Sequence, residues 1–293
     1  MEFRQLNTFV TVAKLNNFTQ AADQLGYAQS SVTSQIQLLE KELGVRLFER
    51  IGKSISLTPQ GEKLLVYAKQ ILKLCDEAKN VVTASDLLRG TLTIGSIESL
   101  CAVQLPQLFK EYHKRYPEVE IILKMGNCNE FKALLQENQI DVAFFLDQKL
   151  CVPELASEME RSEPLCILTA PEHPLTRKHE VYPKDLDGYP LILTETGCSY
   201  RTLFLKTLAE SGITPKSILE AGSIQTIKQL TMSGLGVTLL PRAAVEEELE
   251  RKQLIELAWV GPPFKMLTQV VYHKDKWISP ALRAFLDLSK EML

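Results

Sequence analysis

Apolar residues recur at helical spacing at the start of the chain. Leu6, Phe9 and Val10 lie on one face of a first helix. A second, short helix is predicted from Thr19, as its N-cap, to Gly26, where a tight turn follows. The pattern therefore predicts two helices that lead closely into a third.

The third predicted helix is amphipathic and begins at Ser30 or Ser31, either of which can act as its N-cap. Its apolar side chains form one stripe before Gly44 ends the helix: Val32, Ile36, Leu39 and Leu43. The opposite face carries short hydrogen-bonding side chains: Gln29, Ser30, Thr33, Ser34 and Gln37. This order of helices is typical of a helix-turn-helix, whose second helix lies in the DNA major groove. A helical protein-interaction module is the alternative.

Residues 47–58 form two short alternating runs around Gly52 and Lys53, which predicts a hairpin, or wing. Arg50 and Lys53 would lie there where DNA phosphates pass. The helix start would face base edges with four polar side chains: Gln29, Ser30, Thr33 and Ser34.

These segments resemble the LysR-type transcriptional regulators. The resemblance is carried by Phe9-Val10, Phe18-Thr19-Gln20-Ala21-Ala22, Leu25, residues 29–36, Leu39-Glu40, Leu43-Gly44-Val45, residues 47–50 and residues 57–61. Two positions depart from the family: Ser30 stands where Pro is usual, and Ser34 where Arg or another polar residue is frequent. The resemblance implies a winged helix-turn-helix over residues 1–58 and double-stranded DNA as a partner.

A long helix is predicted next, because Thr58 can cap it, Pro59 fits its first turn, and no breaker follows until Gly90. Small and apolar residues repeat along it as a heptad: Leu64, Ala68, Ile71, Cys75, Ala78, Val82 and Ser85. Such a seam favours a partner helix, although a helix packed on its own domain is the alternative. The resemblance implies an antiparallel dimer through this linker, residues 59–89, and pairing of dimers into a homotetramer.

Beyond Gly90, short β-rich runs alternate with helices, which predicts a parallel α/β sheet. The first pass has strands at 91–96, 119–125 and 141–146 and helices at 103–116 and 129–138. The second has strands at 191–195, 218–221 and 237–240 and helices at 200–211 and 224–233. A strand at 267–273 and a helix at 280–292 return to the first half. The resemblance implies a periplasmic-binding-protein-like effector domain over 90–293, with lobe I at about 90–161 and 268–293 and lobe II at about 162–267.

Polar residues follow four of the predicted strands. Ligands of open α/β sheets bind at the carboxyl ends of strands, beside helix N-termini. We therefore expect these turns to bind a small polar or anionic effector; their candidate residues are Ser96, Glu98, Ser99, Asn127, Cys128, Asn129, Cys198, Ser199, Arg201 and Ser223. Helix capping alone is the alternative for several of them. If Arg201 and Glu98 face each other across the cleft, a ligand with both a carboxylate and an amine would suit them.

Composition narrows the class of protein. Hydrophobic residues make up 45% of the 293 residues and charged residues 24%, as in folded globular proteins, and no run is long enough for a membrane span. The cytoplasm is the expected location. The net charge is −3, but residues 1–89 hold 11 Lys and Arg against 9 Asp and Glu, so any DNA contact is expected there.

Motifs for catalysis, metal binding or cofactors are absent from the sequence, and the spacing of the six cysteines predicts neither a disulfide framework nor a zinc site. We expect no cofactor and no enzyme activity. Cys198 opens a predicted helix three residues before Arg201, so a reactive thiolate is conceivable, although an inert buried thiol is the favoured interpretation. The alternative function is a cysteine-dependent α/β enzyme with an appended DNA-binding head.

Overall fold

The computed structural model describes residues 1–51, 54–82 and 88–293, and it divides at residue 86 into two compact units. The first unit contains three helices, a hairpin and a long helix: α1 (Phe3–Leu15), α2 (Phe18–Leu25), α3 (Gln29–Leu43), β1 (Phe48–Ile51), β2 (Ser54–Leu57) and α4 (Pro59–Val82). This is the predicted winged helix-turn-helix followed by a linker helix.

Three aromatic rings close the core of the first unit. The ring of Phe48 in the wing lies 5.4 Å from that of Phe9 and 5.7 Å from that of Phe18. The Glu40 carboxylate accepts the backbone N–H groups of Leu47, at 2.7 Å, and Phe48, at 3.3 Å. Helices α1 and α2 therefore fix the start of the wing by packing, and α3 fixes it by hydrogen bonds.

The N-caps predicted for α2 and α3 are wrong. Asn17, not Thr19, caps α2, because its Oδ1 accepts the N–H groups of Thr19, at 2.9 Å, and Gln20, at 3.1 Å. Helix α3 begins at Gln29 after Ala28, whose methyl side chain cannot accept a hydrogen bond, so Ser30 lies inside the first turn. At the other end of the predicted stripe, Leu43 is exposed.

Thr58 caps α4 as predicted. Its Oγ1 accepts the N–H of Gly61 at 3.0 Å and donates to the Arg46 carbonyl at 2.7 Å. A Cβ atom at Gly61 would lie 2.2 Å from the Leu47 carbonyl oxygen, so only glycine allows the helix to approach the wing this closely. The helix and the wing are therefore held together at this corner.

The heptad seam of α4 is partly used inside its own unit. Ala68 is fully buried, and Leu64 and Ile71 pack against the same core. Tyr67 and Leu74, by contrast, are 64% and 54% exposed. One helical turn holds 3.6 residues, so the exposed stripe lies about 60° around the helix from the predicted seam. Of the seam residues, Ser85 and the side chain of Val82 lie outside the described parts of the chain.

The second unit is an α/β domain of two lobes. Its helices are α5 (Glu98–Val103), α6 (Leu105–Arg115), α7 (Cys128–Gln136), α8 (Ser199–Glu210), α9 (Ile224–Met232), α10 (Glu246–Glu250) and α11 (Pro280–Met292). Its strands are β3 (Gly90–Ser96), β4 (Val119–Met125), β5 (Val142–Asp147), β6 (Leu155–Glu163), β7 (Leu165–Thr169), β8 (Leu191–Leu193), β9 (Ile218–Glu220), β10 (Thr238–Pro241), β11 (Ile255–Glu256) and β12 (Met266–His273). Short 3-10 helices lie at Pro174–Arg177, Pro183–Leu186 and Arg242–Ala244.

The two lobes repeat one strand order. Lobe I has the sheet β4-β3-β5-β12-β6. In lobe II, β9 pairs with β8, β10 pairs with β7 and β7 pairs with β11, and a parallel bridge between Leu191 and Val237 links the two groups. Both sheets are mixed rather than parallel as predicted, because β12 runs antiparallel to β5 and β6, and β7 antiparallel to β10 and β11.

The chain crosses between the lobes twice. The sheet of lobe I contains Glu163 and Met266, which are paired, whereas β7 of lobe II starts at Leu165. Lobe I thus comprises residues 90–163 and 266–293, and Pro164 alone separates β6 from β7. Within the parts of the chain that the structure describes, no helix combines the length and the apolar character that spanning a membrane requires.

Candidate functional site

A pocket between the lobes collects all four predicted turns. It is lined by Ile97, Glu98, Ser99, Asn127, Cys128 and Leu146 from lobe I and by Thr194, Glu195, Gly197, Cys198, Ser199, Tyr200 and Gly222 from lobe II. The turns meet because β3, β4, β8 and β9 occupy equivalent places in the two sheets and end at the same cleft. Six predicted effector residues therefore share one cavity.

Four predicted effector residues do not line this pocket. Ser96 is fully buried, and its hydroxyl donates to the Ile97 carbonyl at 3.2 Å. Asn129 is exposed, and its N–H donates to Asn127 Oδ1, which caps α7. Ser223 is the N-cap residue of α9, and its neighbour Gly222 faces the cavity instead. Arg201 is the fourth.

Arg201 does not face Glu98. Its guanidinium donates to the Thr194 carbonyl and to the Glu220 carboxylate, both in lobe II, and its side chain is largely buried there. The hydrogen bond from Arg201 in turn lowers the pKa of Glu220. The hypothesis of a carboxylate held by Arg201 and an amine held by Glu98 is therefore wrong in its first half, since this guanidinium is already occupied.

Glu98 bridges the two lobes. It begins α5 in lobe I, and its Oε2 accepts the N–H of Ile224, the first residue of α9 in lobe II, at 3.1 Å. Burial raises the pKa of Glu98, the N–H of Ile224 lowers it, and the negative charge of Glu195 raises it further. The carboxylate thus satisfies a helix N-terminus on the far side of the cleft.

The two cysteines of the pocket are poor nucleophiles. Burial raises the pKa of Cys198, which opens α8, and raises that of Cys128 to about 12. Ser199 of lobe II lines the pocket beside Cys128 of lobe I. Because the Arg201 guanidinium is bound to Glu220, it is not committed to a thiolate. The geometry therefore favours the inert thiol over the reactive one.

Sequence reasoning missed several lining residues, above all Thr194, Glu195 and Tyr200. Thr194 and Glu195 come directly after β8, whose end the sequence places at residue 195 instead of Leu193. Tyr200 is an apolar-looking residue of a helix and carries no sequence signal for a site. The position of Glu195 just beyond the strand is the signal that could have been used.

The candidate DNA-contact surface lies on α3. Gln29, Ser30 and Ser34 are exposed at its start, and Thr33 is half-buried beside them. Helix α3 is held in place from behind, because the Thr8 hydroxyl of α1 donates to Gln35 Oε1 at 2.6 Å. Lys53 and the side chain of Arg50 lie outside the described residues, although the pairing of Arg50 with Ile55 places its backbone in the wing.

Metal chemistry has no support in the part of the chain that the structure describes. No group of three or more His, Cys, Asp or Glu side chains there is arranged to hold an ion. All six cysteines are free.

Comparison with known proteins identifies both units. Residues 3–62 match the family model for bacterial regulatory helix-turn-helix proteins of the lysR family, and residues 85–293 match that for the LysR substrate binding domain. The HTH-type transcriptional regulator YwqM of Bacillus subtilis is 42% identical over 292 residues, covering 99% of each chain. GltR of the same organism, also an HTH-type transcriptional regulator, is 32% identical over 98% of this chain and 95% of its own.

Solved structures show the same fold. A full-length OxyR variant from Pseudomonas aeruginosa aligns with a TM-score of 0.74 at 23% identity, covering 100% of this chain and 94% of its own. Full-length CbnR complexed with its target DNA aligns with a TM-score of 0.73 at 24% identity, covering all of both chains. Because the matched families and relatives are transcriptional regulators, the enzyme interpretation is not supported.

Proposed function

Since the chain belongs to the LysR-type family of transcriptional regulators, we propose that it binds an inverted-repeat operator and that a small polar effector in the cleft changes this binding. The observation that carries the proposal is the convergence of four polar turns on one pocket between the lobes. The sequence alone is compatible with either a polar or an anionic effector. The two carboxylates of the pocket and the occupied Arg201 favour the polar one. As a DNA-binding transcriptional regulator, the protein would act in the cytoplasm.

DNA readout is assigned to α3 and phosphate binding to the wing. Gln29, Ser30, Thr33 and Ser34 present short donors and acceptors to base edges, which is how the major groove is read. The exposed position of Gln29, Ser30 and Ser34 at the start of the helix supports this assignment. Arg50 and Lys53 would hold phosphates, which position the protein without reading the sequence.

DNA selected from a random pool by the full-length protein tests both assignments. We expect the selected DNA to contain an inverted repeat, because a two-fold dimer presents two equal heads. Gln29→Ala should relax the base preference, whereas Arg50→Ala should weaken all sequences alike and lower the salt slope by about one unit. An unchanged salt slope in Arg50→Ala would remove the wing from the proposal.

Dimerisation through α4 is proposed for its exposed stripe, Tyr67 and Leu74, together with the exposed seam residue Ala78, rather than for the buried part of the heptad. These side chains lie within about 40° of one another on the helix, and a partner helix would cover them. Leu74→Glu should give a monomer in sedimentation and abolish operator binding. Lys69→Glu, which is exposed on the opposite face of α4, is the matched control and should remain a dimer.

Pairing of dimers is proposed for the outer strands of the lobes. Strand β4 exposes Ile122, Leu123 and Met125, and β9 exposes Ile218 and Leu219. The two strands are equivalent edges of the two sheets, so β4 of one copy and β9 of another can meet twice about a two-fold axis. Met125→Glu should reduce a tetramer to a dimer in sedimentation while the dimer through α4 persists.

A further inference from the structure

The pocket between the lobes is acidic. Glu98 of lobe I and Glu195 of lobe II both line it, and no Lys, Arg or His stands among its lining residues in the described part of the chain. The neighbouring cations are committed elsewhere. Arg201 is bound to Glu220, and the Lys228 ammonium lies 2.6 Å from the Glu248 carboxylate, with both of those side chains largely buried. A carboxylate or phosphate that entered the pocket would face two negative charges.

Ser99 adds an independent sign of a ligand. It is only 5% exposed and lines the pocket, yet its Oγ has no hydrogen-bond partner among the described residues. Buried hydroxyl groups without partners are uncommon, because each loses its hydrogen bonds to water on burial. A ligand group that donates a hydrogen bond to Ser99 Oγ would restore the lost interaction.

The free space fits a small head group. The cavity leaves about 20 Å³ for the centre of a water-sized group, which is enough for one group of that size. A protonated amino group is close to water in size, has three N–H donors and carries one positive charge. The polar groups of the lining residues match it in kind, since Glu98 and Glu195 carry carboxylates and Ser99 carries a hydroxyl.

We propose that the effector carries a protonated amino group, which Glu98 and Glu195 bind from opposite lobes while Ser99 Oγ accepts a hydrogen bond from it. This proposal rests on the proposed ligand-responsive function. Glu98 Oε2 already accepts the N–H of Ile224, so Glu98 Oε1 is the oxygen open to the amine. Because the two carboxylates belong to different lobes, one bound cation can contact both and hold the lobes together.

The arrangement of the pocket's side chains favours an organic amine over a metal ion. Glu98, Glu195, Cys128 and Cys198 line one pocket, but no three metal-ligating side chains are grouped for an ion anywhere in the described ranges. Metal sites need several ligands at short and regular distances from the ion. The site is therefore assigned to an ammonium group, and metal binding becomes an outcome of the test.

Calorimetric titration of the full-length protein with ethanolamine and with glycolate tests the proposal, because both probes carry a hydroxyl and differ in the sign of their charge. Ethanolamine should bind at least about tenfold more tightly than glycolate. Glu195→Gln should lower the affinity for ethanolamine by about tenfold, and Ser99→Ala should lower it by a smaller factor. Glu210→Gln is the matched control, since this exposed carboxylate pairs with Lys206 on α8, and it should bind ethanolamine as the wild type does.

Several results would overturn the proposal. They are glycolate binding as tightly as ethanolamine, no measurable binding of either probe, an unchanged affinity in Glu195→Gln, and zinc chloride binding tighter than ethanolamine with loss in Glu195→Gln. The proposed function fails separately. If glycolate binds and alters the operator footprint, the amine assignment is wrong while ligand-responsive regulation stands. If no small molecule in the cleft alters the footprint, the regulatory proposal itself is wrong.

Discussion

The two lobes of the effector domain share a strand order but place their charged side chains differently. Lobe I buries an ion pair, Lys276 with Asp141 at 2.8 Å, and sends Glu98 across the cleft. Lobe II also buries an ion pair, Lys228 with Glu248 at 2.6 Å, but keeps its largely buried cation Arg201 within the lobe, bound to Glu220. Equal topology therefore does not imply equal chemistry. The sheet brings the turns together, and the residues that end each strand decide what the cleft can bind.

The largest effect of a substitution on stability is expected in lobe I. Asp141→Asn removes the carboxylate that lies 2.8 Å from the buried Lys276 ammonium, which should lower the free energy of unfolding by about 3–5 kcal/mol. Trp259 and Trp277 are the two tryptophans of the chain and both lie in the effector domain, so tryptophan fluorescence in urea reports this domain. Glu210→Gln is the control and should lie within about 0.5 kcal/mol of the wild type. A loss below about 1 kcal/mol in Asp141→Asn would show that the buried pair stabilises lobe I little.

Arg201→Gln should have a smaller effect on lobe II. The substitution removes the hydrogen bond to the Thr194 carbonyl, and we expect a loss of about 1 kcal/mol in the same urea experiment. The affinity for ethanolamine should stay unchanged, because the guanidinium lies outside the pocket lining. If ethanolamine binding fell as strongly as in Glu195→Gln, Arg201 would have to belong to the site.

Glu98→Gln should show a small effect that depends on pH. Burial and the charge of Glu195 raise the pKa of Glu98, while the Ile224 N–H and Lys228 lower it. The stability that protonated Glu98 contributes is therefore fully present at pH values below 4.5, the usual pKa of a glutamate. It is lost as the pH rises through the raised pKa of Glu98. Gln keeps an acceptor for Ile224 and has no charge to bury. We expect its Tm to equal that of the wild type at low pH and to exceed it near neutral pH; a wild type more stable than Glu98→Gln at neutral pH would contradict this.

The smallest effect is expected at the thiols. Cys128 and Cys198 face the pocket from opposite lobes, and burial raises the pKa of both. A thiol-reactive dye at neutral pH should therefore label the exposed Cys151 first. Mild peroxide should leave operator binding of the wild type equal to that of Cys198→Ser. Peroxide sensitivity that Cys198→Ser removes would revive the reactive-thiol hypothesis.

Sequence reasoning succeeded where the period of apolar residues decides the structure. Strand β4 and helix α11 have the predicted bounds, because alternation and amphipathic spacing are strong in both. Strand β6 was missed. Its sequence carries Glu158, Glu160 and Arg161, and most of its side chains are half-buried or exposed, so it lacks the apolar signal of a central strand. Its place is set by pairing with β12, more than a hundred residues later.

The candidate site was predictable as a set of turns but not as a set of contacts. Polar residues after strands identified Glu98, Ser99, Asn127, Cys128, Cys198 and Ser199. The partner of Arg201 was not predictable, because Glu220 lies 19 residues away at the end of the neighbouring strand β9. The choice of Asn17 over Thr19 as a cap was equally hidden, since both side chains can accept from a helix N-terminus.

The single residue between β6 and β7 limits how the lobes can move. One residue spans at most about 3.6 Å, and the Pro164 carbonyl is bound to the Arg242 N–H of lobe II at 2.8 Å. The lobes therefore cannot slide apart at this point, and the motion left to them is a rotation about a pivot beside Pro164. A rotation moves each point in proportion to its distance from the pivot. A ligand that rotated the lobes would therefore move β4 and β9 most, because these strands lie at the sheet edges farthest from Pro164.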